Sequence, residues 1–187
     1  MRIKLSFKYL IFLLVISFSI PALGQNYELP IDETGKVVFT DVIPLEEMSK
    51  VDIYKKAKMW IVSTLKSGDN MVELDGTNSD KIIGTGNIII PEEEIFSSHH
   101  ESLNFKFIVM CKDNRLKYSV ENFTLHLTMF NYNSVTSIEA IRDYKGTIGK
   151  KRQIQFESEV KAAVKKNIEL LVNEFVIHMN KTENDDW

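Results

Sequence analysis

Cysteine is nearly absent. Cys111 is the only one among 187 residues, so no disulfide can form within the chain and packing must hold the fold. No cysteine stands just after Gly24, the expected cut, so the acylated anchor of a lipoprotein is not expected. Long apolar runs are lacking as well: past Ile20 no segment approaches the ~20 residues that a membrane-crossing helix requires. Positive charge is scarce, with 23 Lys and Arg against 26 Asp and Glu. A chain of that sign is repelled by nucleic acid and by anionic lipid head groups, so no nucleic-acid partner is expected. No Ser, His and Asp set, no carboxylate pair on a helix face and no metal-ligand spacing stands out, which points away from an enzyme and from any cofactor. There is no internal repeat and no low-complexity linker.

The first residues, "MRIKLSFKYLIFLLVISFSIPALGQ", carry Arg2, Lys4 and Lys8, an apolar run from Tyr9 to Ile20, Pro21, and small residues at Ala22 and Gly24. This is the three-part layout of a secretory signal peptide, residues 1–24, with cleavage expected after Gly24 and Gln25 first in the mature chain. Cleavage removes three cations and takes the formal charge from −3 to −6, or 20 basic against 26 acidic residues. The expected location is the periplasm or the extracellular space. What remains fits one domain, residues 25–180, followed by an acidic tail, "NKTENDDW", that frays over 181–187.

Along that domain, Thr34 and Gly35 make a turn, and the β-branched run from Lys36 to Ile43 reads as a strand ended by Pro44. Ser49 then stands three residues before Asp52, an N-cap with an acid in the first turn. Ile53, Ala57, Trp60, Ile61, Thr64 and Leu65 follow the spacing of one helix face, and Gly68 is the expected stop. Strands are expected at Met71–Asp75 and Lys81–Ile90, the second ended by Pro91. "LNFKFIVMCK" sets Leu103, Phe105, Phe107, Val109 and Cys111 on one face of a half-buried strand. "KDNR" is a tight turn, because Asp113 and Asn114 tolerate positive φ. In the following strand the apolar positions change parity between Val120 and Phe123, which predicts a bulge at Glu121 and Asn122. "NYNSVTSIEAIRDYKGTIGKK" reads as irregular. A last helix runs from Gln153 to Met179 on a stripe of Phe156, Val160, Ala163, Val164, Asn167, Leu171 and Phe175. The order β-α-β-β-β-β-α predicts an α+β fold: a curved antiparallel sheet with a short and a long C-terminal helix on one face.

Several features look chemical and read more simply as structure. Gly84 and Gly86 in "IIGTGN" could cradle a phosphate, but a phosphate loop needs a helix N-terminus or a lysine just behind it, and "NIIIP" continues as strand. Two glycines there mark a bulge, or a place where a helix side chain crosses too close for a Cβ. His99, His100 and Glu101 in "SSHHES" point apart on an extended chain, His126 and His178 are remote, and Glu92, Glu93 and Glu94 read as a charged turn. Cys111 falls on the apolar face, where free cysteine acts as a small hydrophobe.

"YELPIDETGKVVFTDVI", "IYKKAKMWI", "KIIGTGN" and "CKDNRLKYSVENF", in this order from Tyr27 to Phe130, resemble a family of secreted Bacteroidota proteins known as a domain of unknown function with a TBP-like fold. The resemblance implies that fold and brings no catalytic residues. It does not imply DNA binding, since TATA-binding protein grips the minor groove with a basic sheet and this chain is acidic. The topology is also similar to that of helix-grip proteins, whose sheet and long helix enclose an apolar ligand.

Two functions follow. One is an exported, non-enzymatic binding domain whose partner is an envelope protein or glycan met through an exposed sheet face or edge. The other is a carrier of a small apolar ligand in a cavity lined by Trp60, Phe105, Phe107, Tyr118, Leu171 and Phe175. A hydrolase using His99 or His100 ranks last. A carrier must leave some hundreds of Å³ unfilled, and the two helix stripes hold many large residues and few alanines or glycines, which favours a packed interior.

Overall fold

A computed structural model describes residues 28–65, 80–91, 101–129, 132–143 and 150–181. The first strand, β1, covers Phe39–Pro44 and starts three residues later than the β-branched run predicts. The reason is local: the Asp32 carboxylate accepts hydrogen bonds from the backbone N–H groups of Thr34 and Lys36 (2.8 and 3.0 Å), and Gly35 takes φ 80°. That side-chain-capped turn consumes the residues before Val37, which forms only a single bridge to Ile31.

Helix α1 spans Lys50–Thr64, and Ser49 caps it, its hydroxyl accepting from the Asp52 N–H at 3.2 Å and donating to the Asp52 carboxylate at 2.6 Å. Leu65 closes the helix by donating to the Ile61 carbonyl at 3.0 Å, so it ends before Gly68, which lies outside the described residues. Its buried side is Ile53, Ala57, Trp60 and Ile61, the stripe read from the sequence.

The remaining strands are β2 (Lys81–Ile90), β3 (Glu101–Lys112), β4 (Arg115–Met129) and β5 (Tyr132–Ser137). All pairings are antiparallel, in the order β1-β4-β3-β2, with β5 also on β4. The two-residue turn between β3 and β4 puts only Asn114 at positive φ, 64°, whereas the sequence allowed it for Asp113 too. The expected bulge is present: the β3–β4 register shifts between Asn104 and Lys106, where Asn122 takes φ 58°. That one extra residue lets Tyr118 and Val120 before it, and Phe123 and Leu125 after it, all face inward.

The strand expected at Met71–Asp75 lies outside the described residues, and one other expectation changes. The stretch read as irregular instead forms β5 and a 3-10 helix, Ile138–Asp143, that buries Ile138 and Ile141. β1 pairs with only the first half of β4, Arg115 to Val120, so the edge of β4 beyond the bulge is open to another strand. A stretch containing Tyr132, Val135 and Thr136 is apolar and β-branched enough to take it, and the free backbone groups of β4 outweigh weak local propensity.

Helix α2, Lys150–Asn180, has 31 residues, roughly 46 Å of axis at 1.5 Å each. It buries Phe156, Val160, Ala163, Val164, Ile168, Phe175 and Met179 against the sheet face that α1 also covers. The described residues thus have one core between the two helices and the inner face of the sheet, and an opposite sheet face that no described element covers.

Candidate functional site

The six residues named from the sequence as a cavity lining are brought to the inner face, and four of them touch. Trp60 of α1 lies 4.8 Å from Phe175 and 5.3 Å from Phe107, ring centre to ring centre. Phe107 and Phe175 stand edge to face at 5.0 Å, and Tyr118 completes the group at 6.2 Å from Phe107 and 6.1 Å from Phe175. At these separations the rings occupy one another's space, and the edge-to-face pairs contribute attraction beyond burial. Phe105 belongs to a second set with Phe123 (6.3 Å) and, through it, Phe39 (5.7 Å). Leu171 is only partly buried and packs on the margin of the core.

The two glycines of "IIGTGN" are explained by this packing. A Cβ on Gly84 would lie 2.8 Å from Cγ2 of Ile61 and 3.0 Å from Cδ1 of Leu65, both on α1. A Cβ on Gly86 would enter the ring of Phe105, its partner directly across β3, at 2.3 Å. Both positions lie within a regularly paired strand, and Gly84 lies under a helix as the simpler reading held. Gly86 instead makes room for a ring of the neighbouring strand, neither the bulge nor the helix crossing that was expected.

Two groups of the inner face have shifted titration. Burial pushes the Cys111 thiol up to about 11, with Asp80 adding to the effect, so the group is a protonated thiol at neutral pH and no nucleophile. Burial, then Asp41, also raises the Tyr118 phenol. Beside Cys111, Lys50 is paired with Asp80, and that hydrogen bond raises the lysine above its usual range. His178 sits 3.3 Å from the Lys56 carbonyl, a contact between the two helices, and His99 and His100 lie outside the described residues. Among the described residues no three His, Cys, Asp or Glu side chains converge as metal ligands would.

The opposite face carries groups whose association the sequence did not reveal. Asn87 donates to the side-chain carbonyl of Asn104, and the Asn104 amide nitrogen lies 2.9 Å from Nε2 of His126, a polar row across β2, β3 and β4. Farther along, the register places Val42, Lys117, Met110 and Lys81 side by side, then Thr40, Ser119, Ile108 and Ile83, then Glu121, Lys106 and Thr85. Parity along each strand predicts that these residues share a face. Which ones become neighbours depends on strand register, and the bulge near Asn122 shifts that register.

This architecture has relatives. A family model matches residues 39–126, and its description is a domain of unknown function (DUF4468) with TBP-like fold. The fold is TBP-like. In a crystal structure, a TBP-like protein from Parabacteroides distasonis is similar with TM-score 0.65 and 16% identity, over 82% of this chain and 98% of that one. A DUF4468 family protein from Bacteroides ovatus is similar with TM-score 0.62 and 18% identity, over 83% and 92%. At such identities the likeness speaks for the fold alone. No curated protein matches the chain. The resemblance read from the motifs thus holds for the DUF4468 family and for its fold.

Proposed function

We propose that this chain is an exported, non-catalytic interaction domain of the cell envelope that meets a protein partner through its uncovered sheet face. The observation that carries the reading is the difference between the two faces of one sheet. On the inner face Trp60, Phe107, Tyr118 and Phe175 are packed ring against ring, where a carrier would need them held apart around its cargo. On the other face Val42, Met110, Ile89 and Val135 are exposed apolar side chains on paired strands. Of the two partner classes, protein is favoured over glycan: no Phe, Tyr or Trp occupies an open-face position of the described strands, so no flat ring is offered to a sugar. Export rests on the layout of residues 1–24, which lie outside the described residues.

Two measurements test this. Native mass spectrometry of residues 25–187 purified from the periplasm should give a bare protein mass. A reproducible adduct of a few hundred daltons, lost on denaturation, overturns the reading in favour of a carrier. A photo-crosslinking residue at Met110 should capture a protein partner in the producing cell, and the same residue at Leu170 on the exposed side of α2 should not. Equal capture from both removes the sheet face from the proposal.

A further inference from the structure

The open face differs in charge from the rest of the chain. Its described strand positions include Lys81, Lys106, Lys112, Arg115 and Lys117, five cations, against the single acid Glu121, in a protein whose acids outnumber its bases by 26 to 23. The cations are not spread evenly. Lys112 and Arg115 are paired at the β3–β4 turn, Lys117 and Lys81 flank Met110 on either side, and Lys106 lies two rows farther on, opposite Glu121. With ~4.8 Å between strands and ~6.8 Å between alternate residues, the group spans about 20 Å along β3 and about 10 Å across the sheet, from β2 to β4. Inside it lie Met110, Ile108 and Ile83, and Val42 borders it on β1; Met110 and Val42 are exposed and the two isoleucines half-buried.

Building on the proposed interaction role, we infer that the half of the open sheet nearest the β3–β4 turn docks an acidic protein surface with an apolar centre. An apolar patch framed by charge is the anatomy of a protein interface, with a dry middle and a polar rim. The charge sets the partner's sign, because facing groups of like charge would be forced together and groups of opposite charge steer the encounter. The same rule excludes a pairing of two copies of this chain through this one face, since it would lay five cations on five. A phosphodiester strand meets the cations but leaves the apolar centre facing a charged backbone, and the face has no ring on which a base could stack. The polar row of Asn87, Asn104 and His126 lies beyond the cations and marks where the basic half ends.

The test uses the mature chain and three probes: a fluorescent poly(Glu,Tyr) copolymer, oligo(dT) of equal charge, and phosphatidylglycerol vesicles. Anisotropy or sedimentation is measured at 50 and 300 mM salt. The copolymer should bind most tightly, with an affinity falling at high salt. A triple variant, Lys106→Glu, Arg115→Glu and Lys117→Glu, should weaken it at least tenfold. Three reversals on the helices, Lys55→Glu, Lys165→Glu and Lys166→Glu, should change it less than twofold. Met110→Ser should weaken the copolymer while leaving plain polyglutamate unchanged. Tighter binding of oligo(dT) or of the vesicles overturns the inference in favour of nucleic acid or membrane, as does an equal loss from both sets of reversals. Absence of binding to any probe overturns the acidic chemistry alone, because crosslinking from Met110 reports separately on whether this face meets a protein. Circular dichroism and thermal melting of each variant identify any that fail to fold, and the single substitution Lys117→Gln, expected to weaken the copolymer about twofold to threefold, replaces a triple variant that does.

Discussion

On β3, Phe105, Phe107, Val109 and Cys111 point toward the helices, and Lys106, Ile108, Met110 and Lys112 point away from them. Every inward residue of this set is at most 3% exposed, whereas Met110 on the other side is 43% exposed. One strand therefore carries two kinds of physics at a spacing of one residue. Inward, side chains must match in volume, because interiors are packed as densely as organic crystals. Outward, they are free to vary in volume, and what accumulates there is charge and moderate apolarity. Stability is expected to reside on one face and recognition on the other, and substitutions on each test that division.

The largest effect should come from Trp60→Ala. Its indole touches Phe107 of the sheet and Phe175 of α2, so it links both helices to the sheet. Truncation should destabilise by about 3 to 5 kcal/mol in urea unfolding. A loss below about 1 kcal/mol would mean that the rings around it are not packed as described. Next comes Gly84→Ala, where the new methyl would meet Ile61 and Leu65 and should cost about 1 to 3 kcal/mol by overpacking. Combined with Ile61→Ala the loss should be smaller than the sum of the two single losses, since one substitution vacates the space that the other needs. Additive losses would show that the glycine is required for another reason.

How much of this could be read in advance depends on whether a feature is local. The Ser49 cap, the Ile53 to Ile61 stripe, the Asn114 turn and the parity change near Asn122 are each written within a dozen residues, and each is present. The reason for Gly84 was also legible as a type, a helix crossing close above a strand, although not which helix residues cross. β5 was not legible, because what creates it is the unpaired stretch of β4 left beyond β1, a fact about two other strands. The aromatic group was named correctly as a set of inward residues. Sequence could not separate touching rings from rings around a void, since parity assigns a face and never a distance. The basic half of the open face was missed for a related reason: the chain as a whole is acidic, and the clustering of five cations appears only once register places them together.

Alkaline pH gives a third contrast. The Cys111 thiol is pushed up to about 11 in the folded state by burial, while an unfolded chain ionises it at its ordinary value. Between those two values the folded protein holds a proton that the unfolded chain has lost, so stability must fall as pH rises from about 9 to about 11. Tyr118 is raised for the same cause and acts in the same direction. Cys111→Val should flatten the lower part of that decline, and a wild-type slope unchanged by the substitution would assign it to Tyr118 alone. Asn122→Ala should then cost about 1 kcal/mol, because alanine lacks the tolerance of asparagine for φ 58°, and Asn122→Gly should cost nothing.

The smallest effect on stability is expected at Lys106, between two of the most deeply buried rings in the molecule. Its side chain is exposed, and it faces Glu121 across the strand pair. An exposed cross-strand pair contributes little against solvent and salt, so Lys106→Ala should move the unfolding free energy by no more than about 0.5 kcal/mol. A loss of 2 kcal/mol or more would mean that this face is also structural, and the division between packing on one side and recognition on the other would fail at its centre. A near-zero loss would leave the lysine with no structural duty, which is the condition under which selection for a partner could have placed it there.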